Sequence, residues 1–196
     1  MEYRGVKITT CEKVYPPCDD TFMLADALVR EVRQGDLVLD VGTGTGLLAI
    51  LAAKHAEKVL AIDVSDFAVA CAQRNVAANR ALNVEVRKSD LFADVEGKFD
   101  LILFNPPYLP SEELEPKDEL TRAWDGGKDG RRVIDRFIRE CRGYLTEGGR
   151  VLMVQSSLSD LEKTREMFLR QGFEVSVIAE RSFFFERLYV VKAVLK

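Results

Sequence analysis

The sequence predicts one doubly wound α/β domain: a mostly parallel seven-stranded sheet with helices on both faces, ending in an antiparallel hairpin. Three observations carry that prediction. Short runs rich in Val, Leu and Ile alternate with helical patterns of about 10–15 residues, the pattern of parallel β-α-β units. The last two strand-like runs leave no room for a crossover helix between them and must pair antiparallel. The 196 residues hold no repeat, low-complexity tract or linker, so residues 1–196 supply one core rather than two.

Residues 1–34 form an extension ahead of the first sheet strand. It has a short apolar alternation, "VKITTCEKVY", then a helix from about Asp19 to Arg33 whose Phe22, Leu24, Ala25, Leu28, Val29 and Val32 share one face. Asp19, Asp20 and Thr21 are candidates to cap its start. Strands follow at Asp36–Gly42, Lys58–Val64, Val84–Asp90, Lys98–Asn105 and Gly148–Gln155. "GLLAILAAKHA" makes the first crossover helix, with His55 near its end beside exposed carbonyls. "DFAVACAQRNVAANRA" makes the second, with Cys71 as a small core residue. "PSEELEPKDEL" reads as a solvated loop or as a border of a substrate cleft. "WDGGKDG", Trp124 to Gly130, opens the helix "GRRVIDRFIRECRGYL" and borders the substrate cleft, with Trp124 as a core anchor the alternative. "FEVSVIAERSFFFERLYVVKAVLK" is the hairpin; its "SFFFERLYVV" reads as buried strands or as an apolar surface for a partner.

Composition narrows the function classes. With 47% hydrophobic and 31% charged residues the chain is an ordinary globular protein, and its few Asn and Gln beside many charges lean towards a heat-adapted source. A net charge of −4 gives no overall positive field to draw nucleic acid or an anionic membrane. No run approaches the roughly 18 apolar residues that span a bilayer, and "MEYRGVKITT" is no signal peptide, so a cytoplasmic location is expected. Four scattered cysteines and the single His55 supply no metal-site spacing, so no metal is expected. The same count removes most chemistry that relies on a histidine base.

"LDVGTGTGLLAI" sets Gly42, Gly44 and Gly46 between a strand and a helix, where the backbone turns tightly and the helix start presents free N–H groups. The spacing is Gly-x-Gly-x-Gly, with Leu47 where a dinucleotide loop has its last glycine, and no Walker-type loop is present. Asp63 ends the next strand, placed to accept from two ribose hydroxyls. Asp90 ends the third, placed to accept from an adenine amino group beside Leu91. Together they describe a nucleoside cradle at the carboxyl edge of the sheet.

"LILFNPPYLP" then closes a buried strand with Asn105, Pro106, Pro107 and Tyr108. Two prolines stiffen the corner and hold its carbonyls in place. Asn105 Oδ1 and the Pro106 carbonyl can each accept one N–H of a substrate NH₂, leaving the nitrogen lone pair aimed at an electrophile while Tyr108 covers a flat group. No general base is required.

These motifs resemble class I S-adenosylmethionine-dependent methyltransferases with a Rossmann-like sheet, and among them the amino-group methylators with Asn/Asp-Pro-Pro-Tyr after the fourth strand. "VYPPCDDTFMLADAL", "LDVGTGTG", "FNPPYLP" and "AWDGGKDGRRVIDRFI" look more narrowly like the short archaeal and eukaryotic HemK/PrmC-type glutamine N5-methyltransferases, whose bacterial members carry an extra N-terminal helical domain. The resemblance implies that S-adenosylmethionine is the cofactor, that residues 1–34 cover it, and that the substrate is the Gly-Gly-Gln glutamine of a class I release factor. It implies cofactor contacts from Tyr15, Pro16, Thr21, Asp40, Gly42, Thr43, Gly44, Gly46, Asp63, Val64, Asp90, Leu91 and Asn105. Relatives differ at Pro17 and Cys18. The likeness also implies a small zinc-containing activator protein at the third-strand edge, "NVEVRKSD". Two other readings stay open: methylation of an exocyclic amine of adenine or guanine in RNA or DNA, with lysine methylation behind it, and an idle nucleoside-binding subunit.

Overall fold

The apolar runs pair as the alternation demands. In the computed structural model, which describes residues 1–111 and 118–196, β1 (Glu2–Tyr3) and β2 (Val6–Lys7) form a small hairpin ahead of helix α1 (Asp19–Glu31). Then come β3 (Leu37–Val41), α2 (Leu47–Ala52), β4 (Lys58–Asp63), α3 (Asp66–Ala78), β5 (Val84–Lys88) and β6 (Phe99–Phe104). The short α4 (Glu119–Arg122), α5 (Arg132–Cys141), β7 (Leu145–Ser156), α6 (Leu161–Arg170), β8 (Phe173–Ser182) and β9 (Arg187–Leu195) complete the chain. The sheet order is β5-β4-β3-β6-β7-β9-β8; β5 to β7 run parallel, and β9 is antiparallel to both neighbours.

From β3 the chain winds outward to β4 and β5, then returns to β3's other side as β6. The β3/β6 boundary is therefore the point where strand order reverses, and open α/β sheets bind ligands at the carboxyl ends beside such a point. Val41 pairs with Phe104, so the glycine loop and the Asn-Pro-Pro-Tyr corner leave the sheet side by side.

Leu39, Leu101, Leu103 and Val151 are buried among Leu24, Leu28, Phe137 and Ile138 from the covering helices. A buried ion pair under the sheet was not foreseen. Arg150 pairs with Asp36 and also donates to the Glu31 and Asp100 carbonyls, so the desolvation of its guanidinium is offset by several acceptors.

Four expectations are corrected. α6 was not anticipated; Asp160 caps it by accepting from Lys163 N–H, and it carries the chain from β7 to the edge strand β8, from which β9 returns into the gap. α2 stops at Ala52, and His55 lies exposed in the following turn, where its carbonyl accepts from Gly35 N–H. The cap of α1 is Cys18, leaving Asp19, Asp20 and Thr21 inside the first turn. Cys71 is buried as expected but forms a disulfide with Cys11. The amides of Asn75 and Asn79 bond both backbone sides of Thr9 and Lys7, folding the extension back over α3 and bringing the two sulfurs together. The "PSEELEPKDEL" expectation falls mostly on residues 112–117, outside the described residues.

Candidate active site

Around the switch point a cleft of about 520 Å³ opens at the carboxyl edge. That is ample for a nucleoside with an amino-acid tail. Tyr15, Thr21, Gly42, Thr43, Gly44, Asp63, Val64, Asp90, Leu91, Asn105, Pro106, Pro107 and Tyr108 all line it. Pro16, Asp40 and Gly46 do not, while Pro17 does.

The glycine loop is held from behind and from the side. Gly46, with φ +84°, starts α2, and a Cβ there would lie 3.3 Å from Ala72, so its bareness lets α2 and α3 pack closely. Asp40 accepts from Thr43 Oγ1 at 2.6 Å behind the loop. Its Oδ1 is buried with no hydrogen-bond partner among the described residues, and burial pushes its carboxyl up to about 7, with the charge of Asp63 adding to the effect. Asp63 accepts from Gly44 N–H and Ser65 N–H, both at 3.0 Å, bracing the loop against the start of α3. Asp90 is more exposed and receives both Nη atoms of Arg136 on α5 at 3.2–3.3 Å.

The corner is fixed by a residue for which the sequence offered only a capping role. Asp20, 5% exposed in the first turn of α1, accepts from Asn105 Nδ2 and from Tyr108 Oη, each at 3.2 Å, through one carboxylate oxygen. The other oxygen accepts from Thr21 N–H at 2.6 Å. The positive end of α1 favours a carboxylate there. With Nδ2 committed to Asp20 and, at 3.4 Å, to Thr21 Oγ1, the Asn105 amide has one orientation, and Oδ1 is left buried without a donor among the described residues. An unmet buried acceptor is costly, and an N–H donor brought to it relieves that cost. Solvent does not reach this oxygen. Burial, followed by the charge of Asp20, pushes the Tyr108 hydroxyl far above its ordinary value; it remains a neutral donor.

The "WDGGKDG" segment backs the corner, as expected of a cleft border. Leu109 N–H donates to Trp124 O, Gly126 N–H to Leu109 O and Ser111 N–H to Gly127 O. A Cβ on Gly130 would sit 2.3 Å from the Tyr108 carbonyl oxygen, so only glycine lets this loop lie on the corner. Trp124 is half-buried and lines the cleft.

Known proteins resemble this chain in sequence and fold. A family model described as the methyltransferase small domain covers residues 19–122, which include the glycine loop, both strand-end acids and the corner. A Methanocaldococcus jannaschii protein named as a protein N5-glutamine methyltransferase is 44% identical over 195 residues, 98% of each chain. A release factor glutamine methyltransferase of Geobacter sulfurreducens is 34% identical over 88% of this chain and 63% of its own. Among solved structures, one chain of the E. cuniculi Mtq2–Trm112 complex, described as responsible for methylating the termination factor eRF1, superposes with a TM-score of 0.73 at 26% identity, covering 94% of this chain and 99% of that chain. The chain belongs to the methyltransferase small-domain family.

Proposed function

We propose that this protein transfers a methyl group from S-adenosylmethionine to the side-chain amide nitrogen of a glutamine, in the Gly-Gly-Gln motif of a class I release factor. The observation that carries the reading is the buried Asn105 Oδ1, which has no hydrogen-bond partner among the described residues and is oriented by Asp20 in the wall of a nucleoside-sized cleft. When bound, the cofactor supplies an electrophilic sulfonium methyl. The cleft residues fit such a group: glycine backbone after β3, carboxylates at the ends of β4 and beyond β5, and apolar Val64 and Leu91.

An amide nitrogen is a poor nucleophile because its lone pair is delocalised. Asn105 Oδ1 and the Pro106 carbonyl accept its two hydrogens, turn the lone pair towards the methyl and favour the positive charge that grows on nitrogen. Orientation of this kind contributes on the order of 7 kcal/mol. The surplus proton leaves to water. Tyr108, held neutral, shapes the pocket without acting as a base, and His55 is not among the cleft residues.

The likeness to the Mtq2–Trm112 complex supports a small partner subunit, zinc-containing as the family resemblance implies, adding to the β5 edge. A substrate of the translation machinery accords with a cytoplasmic enzyme. The corner would also hold an exocyclic amine of a base. The relatives and the negative net charge favour protein. Incubation of the protein, with and without its small partner, with labelled cofactor and the release factor, its Gln→Ala variant or total RNA decides between them. Label enters only the unmodified factor on this reading; label in RNA but not in the factor overturns it, and cofactor binding without transfer to either supports an idle subunit.

A further inference from the structure

The β8–β9 turn carries Phe183, Phe184 and Phe185 where hairpin turns ordinarily use Gly, Asn, Asp or Ser. Phe184 is 91% and Phe185 85% exposed, so the core gives no reason for them. Because β9 runs against β7, this turn stands at the carboxyl edge of the sheet, on the same side as the corner.

The turn is also braced against the active site. Phe183 N–H donates to Glu186 O at 2.7 Å, and the Glu186 carboxylate accepts from Ser156 Oγ at the end of β7. Arg181 lies over the Phe183 ring at 5.4 Å and pairs with Asp19 at 2.7 Å, next to the Asp20 that orients Asn105. The Phe184 and Phe185 rings meet edge to face at 4.6 Å, and exposed Leu158 follows Ser156 on the adjoining turn.

We propose that Phe184 and Phe185, with Leu158, form the docking surface for the protein that carries the target glutamine, gripping apolar side chains that flank its methylated loop. This rests on the glutamine reading above and adds where the substrate is held. Pre-organised aromatic groups are characteristic of protein interface cores. A phosphate backbone finds little here: Arg181 is paired with Asp19, and Arg187 lies 4.0 Å from Glu180.

The test is the steady-state kinetics of methyl transfer to the intact release factor by the full chain, supplied with its small partner, as wild type, Phe184→Ser/Phe185→Ser and Phe184→Leu/Phe185→Leu. Cofactor affinity is measured by calorimetry for each. The serine variant is expected to raise KM for the factor about tenfold or more, with kcat within about twofold and cofactor affinity unchanged, and the leucine variant to recover most of the loss. An unchanged KM in the serine variant overturns the docking surface and leaves glutamine methylation standing. A KM rise matched by lost cofactor affinity also overturns it, because the role is then structural. If the wild type labels only RNA, or labels nothing, the glutamine reading fails and its proposed occupant fails with it.

Discussion

Asn105 is useful because Asp20 leaves it one orientation. The corner and glycine loop were legible in the sequence because their chemistry is written in adjacent residues, but the Asp20–Asn105 contact joins positions 85 apart and only the fold reveals it. Asp20→Asn gives the shared acceptor position an amide that need not receive both donors, so kcat should fall about tenfold or more through lost orientation. A variant with wild-type kcat contradicts that role. Asp40 makes a pH prediction. Its buried carboxyl keeps a proton up to about 7, whereas the unfolded group releases it near about 4. Between those values the folded state binds more protons, so this group's contribution to stability falls as pH rises from about 4 to about 7 and is flat above. Asp40→Asn removes that fall, and its Tm should gain on the wild type between about pH 5 and about pH 8; parallel Tm curves count against it.

Among the elements, the sheet strands were readable because buried parallel strands form near-continuous apolar runs. α6 was not, since only Thr164, Met167 and Phe168 mark its inner side amid charged residues. The "WDGGKDG" segment was read as a cleft border, and its Trp124 lines the cleft, but the seat of Gly130 on the Tyr108 carbonyl was not legible, since a close backbone approach leaves no periodic trace. Gly130→Ala forces a Cβ into that oxygen at a φ of +70° and should destabilise by about 1–3 kcal/mol while lowering kcat/KM. Gly143→Ala, with nothing within 4 Å of the added Cβ, is the control. Equal Tm and equal turnover for the two variants would remove the loop's supporting role.

At the scale of the molecule, the winding order β5-β4-β3-β6 brings together a loop and a corner far apart in sequence, which is why one cleft collects most of the sequence-predicted residues. The Cys11–Cys71 disulfide ties the extension to α3 across a separation of 60 residues, and spacing gave no sign of it. Loop closure of that length corresponds to about 4 kcal/mol of stabilisation. Such bridges persist inside the cells of hyperthermophiles, in line with the composition. Reduction by dithiothreitol should lower Tm by several degrees, and an unchanged Tm would show that the bridge contributes little.

The most direct measurement is tandem mass spectrometry of the release factor after incubation with the protein, its small partner and S-adenosylmethionine, run beside Asn105→Ala. One methyl group on the side-chain nitrogen of the Gly-Gly-Gln glutamine, made by the wild type and reduced about 100-fold or more by the variant despite normal cofactor affinity, is the predicted result. A methyl group on any other residue, or wild-type turnover without the Asn105 amide, contradicts the two-acceptor grip.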